Sequence, residues 1–180
     1  KILEQYSDNE IYKKKWFILG GLTGSGKTVL LNNFQQAIDI EAIANHRGSA
    51  FGRTNTAQPS CANFENKLAF HYMNNKCSNI LLEDESKMIG KATLPKNWYD
   101  KMQTSDLIVM DIKTEERVHN IVNEYITLAL DQIKTPSLLR DNYLTALEKI
   151  QRRLGDVLFK KIHALVEDAF FTNSLEKHED

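Results

Sequence analysis

Gly21-Leu22-Thr23-Gly24-Ser25-Gly26-Lys27-Thr28 follows directly on an apolar stretch, Trp16-Phe17-Ile18-Leu19. A strand, a glycine-rich turn and a helix in that order make a phosphate cradle. Backbone N–H groups of the turn point inward, and the new helix adds the positive end of its dipole. Gly21, Gly24 and Gly26 are expected to be glycines so that the backbone can close around an anion without obstruction by side chains. Thr23 and Ser25 complete the turn. Lys27 supplies a point charge for the terminal phosphates, and the Thr28 hydroxyl is placed to hold a magnesium ion. Beyond the turn, Val29, Leu30, Leu31 and Phe34 form an amphipathic run that predicts a helix from Lys27 to about Ala37.

Working outward, Ala37 to Ile40 reads as a short strand, followed by a polar loop, His46-Arg47-Gly48-Ser49-Ala50-Phe51-Gly52-Arg53. Thr54 to Ser60 carries turn residues and Pro59 and is expected to be irregular. Ser60 caps a predicted helix through about Asn74, with Phe64, Leu68 and Met73 or Tyr72 facing inward. Asn79-Ile80-Leu81-Leu82 is an aliphatic strand that ends in Glu83-Asp84-Glu85. Pro95 opens a helix near Asp100, and Leu107 to Asp111 is read as the next buried strand. Strands alternating with helices predict a parallel sheet covered on both faces.

From Thr114 onward the pattern is helical, first to about Ile133. Pro136 starts a second helix with Leu139, Tyr143, Leu147, Ile150 and Leu154 along one side. Gly155 and Asp156 stop that helix and cap the next, whose stripe is Val157, Ile162, Leu165 and Ala169. The predicted fold class is α/β, a three-layer P-loop NTPase-like parallel sheet of about four or five strands with an appended C-terminal helical part. Residues 1–115 form its core and residues 116–180 a lid or closing segment of the same domain.

Composition narrows the function classes. At 180 residues the chain can bury a respectable core, and 42% hydrophobic with 26% charged residues is ordinary for a globular protein. A net charge of −1 excludes a uniformly basic nucleic-acid binder, though not a local basic patch. No apolar run approaches the roughly 18 residues that a membrane span needs. Cys61 and Cys77 are too few for a disulfide framework, which predicts a reducing, cytoplasmic setting. The chain opens on Lys1 rather than methionine, as a fragment of something longer would.

A carboxylate at the C-terminal end of a strand beside the P-loop would face phosphate-bound magnesium, the Walker-B role. Glu83, Asp84 and Glu85 compete for it, and alternation along a strand sends neighbours to opposite sides; Asp84 is the first choice and Glu83 the second. Exposed acidic residues on a turn are the plainer reading. Arg47 and Arg53 flank a loop of small residues, and a guanidinium fork can hold phosphate oxygens of a diphosphate or an RNA backbone. Arg152-Arg153 is the favoured pair for meeting charge on a ligand, with Arg117 and Arg140 as further lid arginines; solvated helix faces are the alternative for each. No His or Cys cluster has zinc-ligand spacing.

Taken together, the glycine-rich turn, Asp39-Ile40-Glu41 leading to His46-Arg47-Gly48-Ser49-Ala50-Phe51-Gly52, Phe64-Glu65-Asn66, Leu82-Glu83-Asp84-Glu85-Ser86 with Ile89-Gly90, and Arg152-Arg153-Leu154-Gly155 carry a resemblance. In the same order, they resemble the P-loop half of bacterial tRNA 2-selenouridine synthase. The resemblance implies a transferase acting on 2-thiouridine at the wobble position of tRNA, adding a geranyl group from geranyl diphosphate to sulfur and then replacing S-geranyl by selenium. It implies that the diphosphate sits on Gly24 to Thr28, that Asp84 or Glu83 holds Mg2+, and that Arg47 and Arg53 hold diphosphate or tRNA, with Lys27 acting on the departing pyrophosphate. Family members also carry an N-terminal rhodanese-like domain with a catalytic cysteine. Neither Cys61 nor Cys77 lies in a rhodanese-type loop, so this piece alone is expected to lack selenation activity. Two other readings compete: an ATP- or GTP-binding small kinase or NTPase, and a non-catalytic tRNA-docking module using Arg47, Arg53 and the basic helix pair.

Overall fold

A computed structural model describes residues 8–52 and 56–175, in two compact units that divide between Ile121 and Val122. Arg53, Thr54 and Asn55 lie outside the described residues. In the first unit, α1 (Asp8–Ile11) leads into β1 (Lys15–Gly21), and the glycine-rich turn then opens α2 (Lys27–Leu31). Next come β2 (Ala37–Ile38), α3 (Ile40–Ala44), α4 (Cys61–Asn74) and β3 (Asn79–Glu83). A small antiparallel hairpin of β4 (Met88–Ile89) and β5 (Ala92–Thr93) precedes α5 (Lys96–Gln103), β6 (Asp106–Met110) and α6 (Thr114–Val122).

The main sheet has four parallel strands in the order β2-β3-β1-β6, so the α/β class and the parallel sheet predicted from sequence are both present. Alternation along the central strands builds the layers. Trp16 and Ile18 of β1 and Ile80 and Leu82 of β3 join Phe64, Leu68 and Tyr72 of α4 and Trp98 and Met102 of α5 in the larger core. Leu19 of β1 and Leu81 of β3 point the other way, against Leu31 of α2, with Phe17, Leu30 and Met110 around them. Because β-strand side chains alternate with period two, this parity settles which face every later residue of a strand occupies. The larger core is anchored by Trp16, Tyr72 and Trp98, with ring centroids 5.0 Å apart for the two tryptophans and 5.8 Å for Tyr72 and Trp98.

Several local expectations hold. The Ser60 hydroxyl accepts from Asn63 N and caps α4, and Pro95 immediately precedes α5. Others are corrected. The helix after the glycine-rich turn ends at Leu31 rather than near Ala37. Asn32 and Asn33 favour a turn over helix continuation, and the chain closes in successive turns, Phe34 N to Leu31 O and Ala37 N to Phe34 O. Val29 and Phe34 of the expected apolar face are exposed. Ile40 begins α3 instead of ending a strand, because the Asp39 carboxylate accepts from Ala42 N as an N-cap. Nor is β6 a buried strand. It pairs with β1 alone at the sheet edge, and Leu107, Ile108 and Val109 are 56%, 48% and 62% exposed. The β4–β5 hairpin, turning at Gly90 with φ of 61°, was not foreseen.

In the second unit a π-helical turn, Asn123–Thr127, leads into α7 (Leu128–Ile133). Helices α8 (Pro136–Leu154) and α9 (Asp156–Leu175) follow, with Gly155 between them at φ of 76° as anticipated. Leu139 and Leu147 are buried along α8. On α9 the expected stripe shifts: Val157 and Leu165 are exposed, while Phe159, Ile162, His163, Val166 and Phe170 are half-buried. Among the described residues, no helix is long and apolar enough to cross a membrane.

Candidate phosphate and metal site

The turn from β1 to α2 adopts the left-handed backbone its glycines allow, with φ of 80° at Gly24 and 83° at Gly26. Among the described residues, the amides of Gly24, Gly26, Lys27 and Thr28 have no acceptor within the protein, whereas Ser25 N closes on Leu22 O at 3.1 Å. Unpaired amides on consecutive residues form the concavity that binds anions. With α2 only five residues long, the dipole of a long helix adds little, so any attraction for an anion would come from the loop amides and Lys27. Lys27 Nζ donates to Gly21 O at 2.9 Å, which keeps the ammonium over the loop.

The glycines serve more than one purpose. A side chain at Gly21 would meet Ser25 Oγ at 2.8 Å and Met110 O at 3.1 Å, and one at Gly24 would meet the backbone of α6. At Gly26 the space is open and only the positive φ asks for glycine. Ser25 itself is buried, 4% exposed.

Thr28 Oγ1 donates to Glu83 Oε1 at 3.0 Å. Glu83 is the last residue of β3, pairs in register with Leu19, and shares the parity of Leu81, so it lies on the α2 side of the sheet. Asp84, the first choice from sequence, takes the opposite parity; its carboxylate lies toward Gly20 and is exposed. Glu83 is therefore the carboxylate that bonds Thr28, and Asp84 takes the other side of the strand.

Two further carboxylates join it. One oxygen each from Glu41, Glu83 and Glu85 lie within 4.8 Å of one another. Glu41 comes from α3, and its Oε1 also accepts from Gly48 N of the His46–Gly52 loop. Any side chain at Gly48 would run into Glu85 and Glu41, so the loop is seated directly on the acidic group. Gly52 is likewise closed against the Arg47 carbonyl, with Arg47 N donating to Gly52 O at 2.9 Å. Arg47 is half-buried in this loop, and Arg53 lies outside the described residues. Burial, with Glu41 alongside, pushes the Glu83 carboxyl up to about 7, while the Thr28 hydrogen bond and Lys27 pull it partly back. Burial and Glu41 push Glu85 up as well. An all-oxygen, densely acidic set fits a hard divalent cation such as Mg2+, which would relieve that repulsion.

Glu85 was one of three acidic residues competing for the magnesium in the sequence reading, ranked behind Asp84 and Glu83, and Glu41 had no assigned role. Glu41 stands in the Asp39-Ile40-Glu41 run, but nothing in one sequence says that α3 brings it to the tip of β3. Arg117 donates from Nε to Thr23 O at 3.0 Å, so this arginine reaches the glycine-rich turn. Arg152 and Arg153 lie in the other unit, exposed on the last turn of α8.

Comparison with known proteins places the chain in a family. The family model of the tRNA 2-selenouridine synthase AAA domain matches residues 14–180. The chain belongs to that family. A tRNA 2-selenouridine synthase of Sulfurovum sp. is 36% identical over 178 residues, covering 93% of this chain and 48% of the relative. That of Shewanella frigidimarina is 34% identical over 182 residues, 93% of this chain and 50% of the relative. That of Aeromonas salmonicida is 38% identical over 164 residues, 86% and 44%. The chain thus spans about half the length of the curated relatives it matches, and as an AAA domain of this family it corresponds to one part of those enzymes. No solved structure matches it.

Proposed function

We propose that this domain binds the diphosphate of geranyl diphosphate in the glycine-rich turn, within a transferase that converts 2-thiouridine of tRNA to S-geranyl-2-thiouridine and then to 2-selenouridine. The observation that supports it is the meeting of Lys27, Thr28 and the Glu83 group at a turn with unpaired amides, in a chain of the tRNA 2-selenouridine synthase family. The relatives' name supplies the tRNA and selenouridine; the turn supplies the chemistry for a diphosphate.

In geranyl transfer, sulfur attacks the allylic carbon bonded to the diphosphate, the carbon–oxygen bond breaks with its electrons passing to pyrophosphate, and the N3 proton of the thiouridine is released as the C2–S bond becomes a thioether. Negative charge grows on the leaving oxygens. Amides of Gly24, Gly26, Lys27 and Thr28, with the Lys27 ammonium, are preorganised donors for that charge. Thr28, Glu83, Glu41 and Glu85 would hold Mg2+, which supplies Lewis-acid neutralisation of the diphosphate. The His46–Gly52 loop keeps Glu41 in place through the Gly48 amide, and Arg47 stands there as a candidate contact for diphosphate or tRNA.

The test is titration with geranyl diphosphate in the presence of Mg2+, alongside ATP and GTP. Wild type is expected to bind geranyl diphosphate, and Lys27→Ala to weaken it by roughly tenfold to a hundredfold, the worth of one charge-assisted contact. Unchanged affinity in Lys27→Ala would reject the role of the lysine. Turnover of ATP or GTP with no response to geranyl diphosphate would replace the reading with a nucleotide-dependent one.

A further inference from the structure

Helix α6 holds the glycine-rich turn from behind. Arg117 and Asn120, three residues apart and so on one face of α6, each spend a side-chain donor on a carbonyl of the turn. Arg117 Nε reaches Thr23 O at 3.0 Å, and Asn120 Nδ2 reaches Gly24 O at 2.9 Å. The helix backbone lies close as well: a side chain at Gly24 would stand 2.5 Å from Arg117 O and 2.7 Å from Ile121 Cγ1. All of these residues belong to the first compact unit.

A trans peptide carries its N–H and C=O on opposite sides. A donor fixed on Thr23 O therefore aims the Gly24 N–H away from α6. A donor on Gly24 O likewise aims the Ser25 N–H, which closes the turn on Leu22 O. Glycine at φ near 80° is flexible enough for either peptide to flip, which would turn a carbonyl toward the anion in place of an amide. Two side-chain hydrogen bonds from a helix oppose that flip.

We infer that Arg117 and Asn120 are positioning residues of the diphosphate site, acting through the peptide orientation of Thr23–Ser25 rather than by touching the ligand. The inference rests on the phosphate reading above. It gives Arg117 a task different from that of a lid arginine: its Nε–H matters, and its charge does not. Glutamine is the diagnostic replacement, because its Nε2 falls the same number of bonds from the backbone as the arginine Nε.

The experiment titrates the whole chain with inorganic pyrophosphate and Mg2+ by calorimetry and follows backbone deuterium uptake by mass spectrometry. Asn120→Ala and Arg117→Ala are each expected to weaken pyrophosphate about threefold to tenfold, the worth of one net hydrogen bond. Uptake should quicken in peptides covering 20–28 and stay unchanged in peptides covering 79–83. Arg117→Gln should bind within about twofold of wild type, since it restores the donor. Wild-type affinity in both alanine variants overturns the inference, as does an Arg117→Gln as weak as Arg117→Ala, or faster uptake spread evenly through β1 and β3. Lys27→Ala separates the two levels. If Lys27→Ala weakens pyrophosphate while Asn120→Ala and Arg117→Ala do not, the phosphate site stands and the positioning role falls. If Lys27→Ala binds pyrophosphate as wild type does, both fall together.

Discussion

Thr28 and Glu83 stand 55 residues apart in sequence, and the Thr28 hydroxyl donates to the Glu83 carboxylate at 3.0 Å. The bond joins the first turn of α2 to the tip of β3 and brings a buried carboxylate, 1% exposed, to the mouth of the glycine-rich turn. Hydroxyl and carboxylate at that spacing can also share one cation, as oxygen ligands from two elements do.

Glu83→Gln is expected to lower Mg2+-dependent affinity for geranyl diphosphate or pyrophosphate by roughly tenfold to a hundredfold, as loss of a charged partner does. Asp84→Asn, one residue on but on the opposite side of the strand, should change it less than about twofold. Calorimetric titration of both variants decides; equal losses would refute the parity argument.

Gly24→Ala and Gly26→Ala share a positive φ but not an environment. Each meets backbone strain of about 1–2 kcal/mol, the cost of a left-handed alanine. Gly24→Ala must also push α6 away, because its new methyl group meets Arg117 O, whereas Gly26→Ala enters open space. Thermal melting should show the larger loss for Gly24→Ala, by an additional 1–3 kcal/mol or so.

In EDTA, stability is expected to fall as pH rises from about 4.5 through about 7 and beyond. Glu83 and Glu85 keep their protons to higher pH when folded than when unfolded, so the native state binds more protons across that window and loses stability as they leave. For Glu83, a displacement from 4.5 to about 7 corresponds to something on the order of 3 kcal/mol. Glu85→Gln should flatten the dependence and raise the midpoint of melting most at alkaline pH. A melting temperature that rises over the same range would contradict the proposed burial of these carboxyls.

Much of the fold was legible because it rests on local chemistry. A glycine-rich turn after an aliphatic run, Ser60 before an amphipathic stretch, and Gly155 between two helical stripes each have a backbone reason that needs no distant partner. Errors fell where a neighbour decided the outcome. Leu107, Ile108 and Val109 read as a buried strand, yet edge position leaves them exposed. The Val29–Phe34 run is a different case: its apolar spacing read as a longer helix, yet the local turn preference of Asn32 and Asn33 ends it after Leu31.

Read alone, the residues were enough to place a glycine-rich turn between a strand and a helix, Lys27 and Thr28 at the start of that helix, and acidic residues at the end of another strand. Those are properties of short segments whose backbone options are few. It took packing between elements to show that Glu83 rather than Asp84 turns to Thr28, that Glu41 and Glu85 join it, and that Arg117 and Asn120 reach the turn from α6. Strand alternation leaves two faces open to any residue. Which face α2 covers, and which helix lies behind the turn, is settled by packing between segments that lie far apart along the chain.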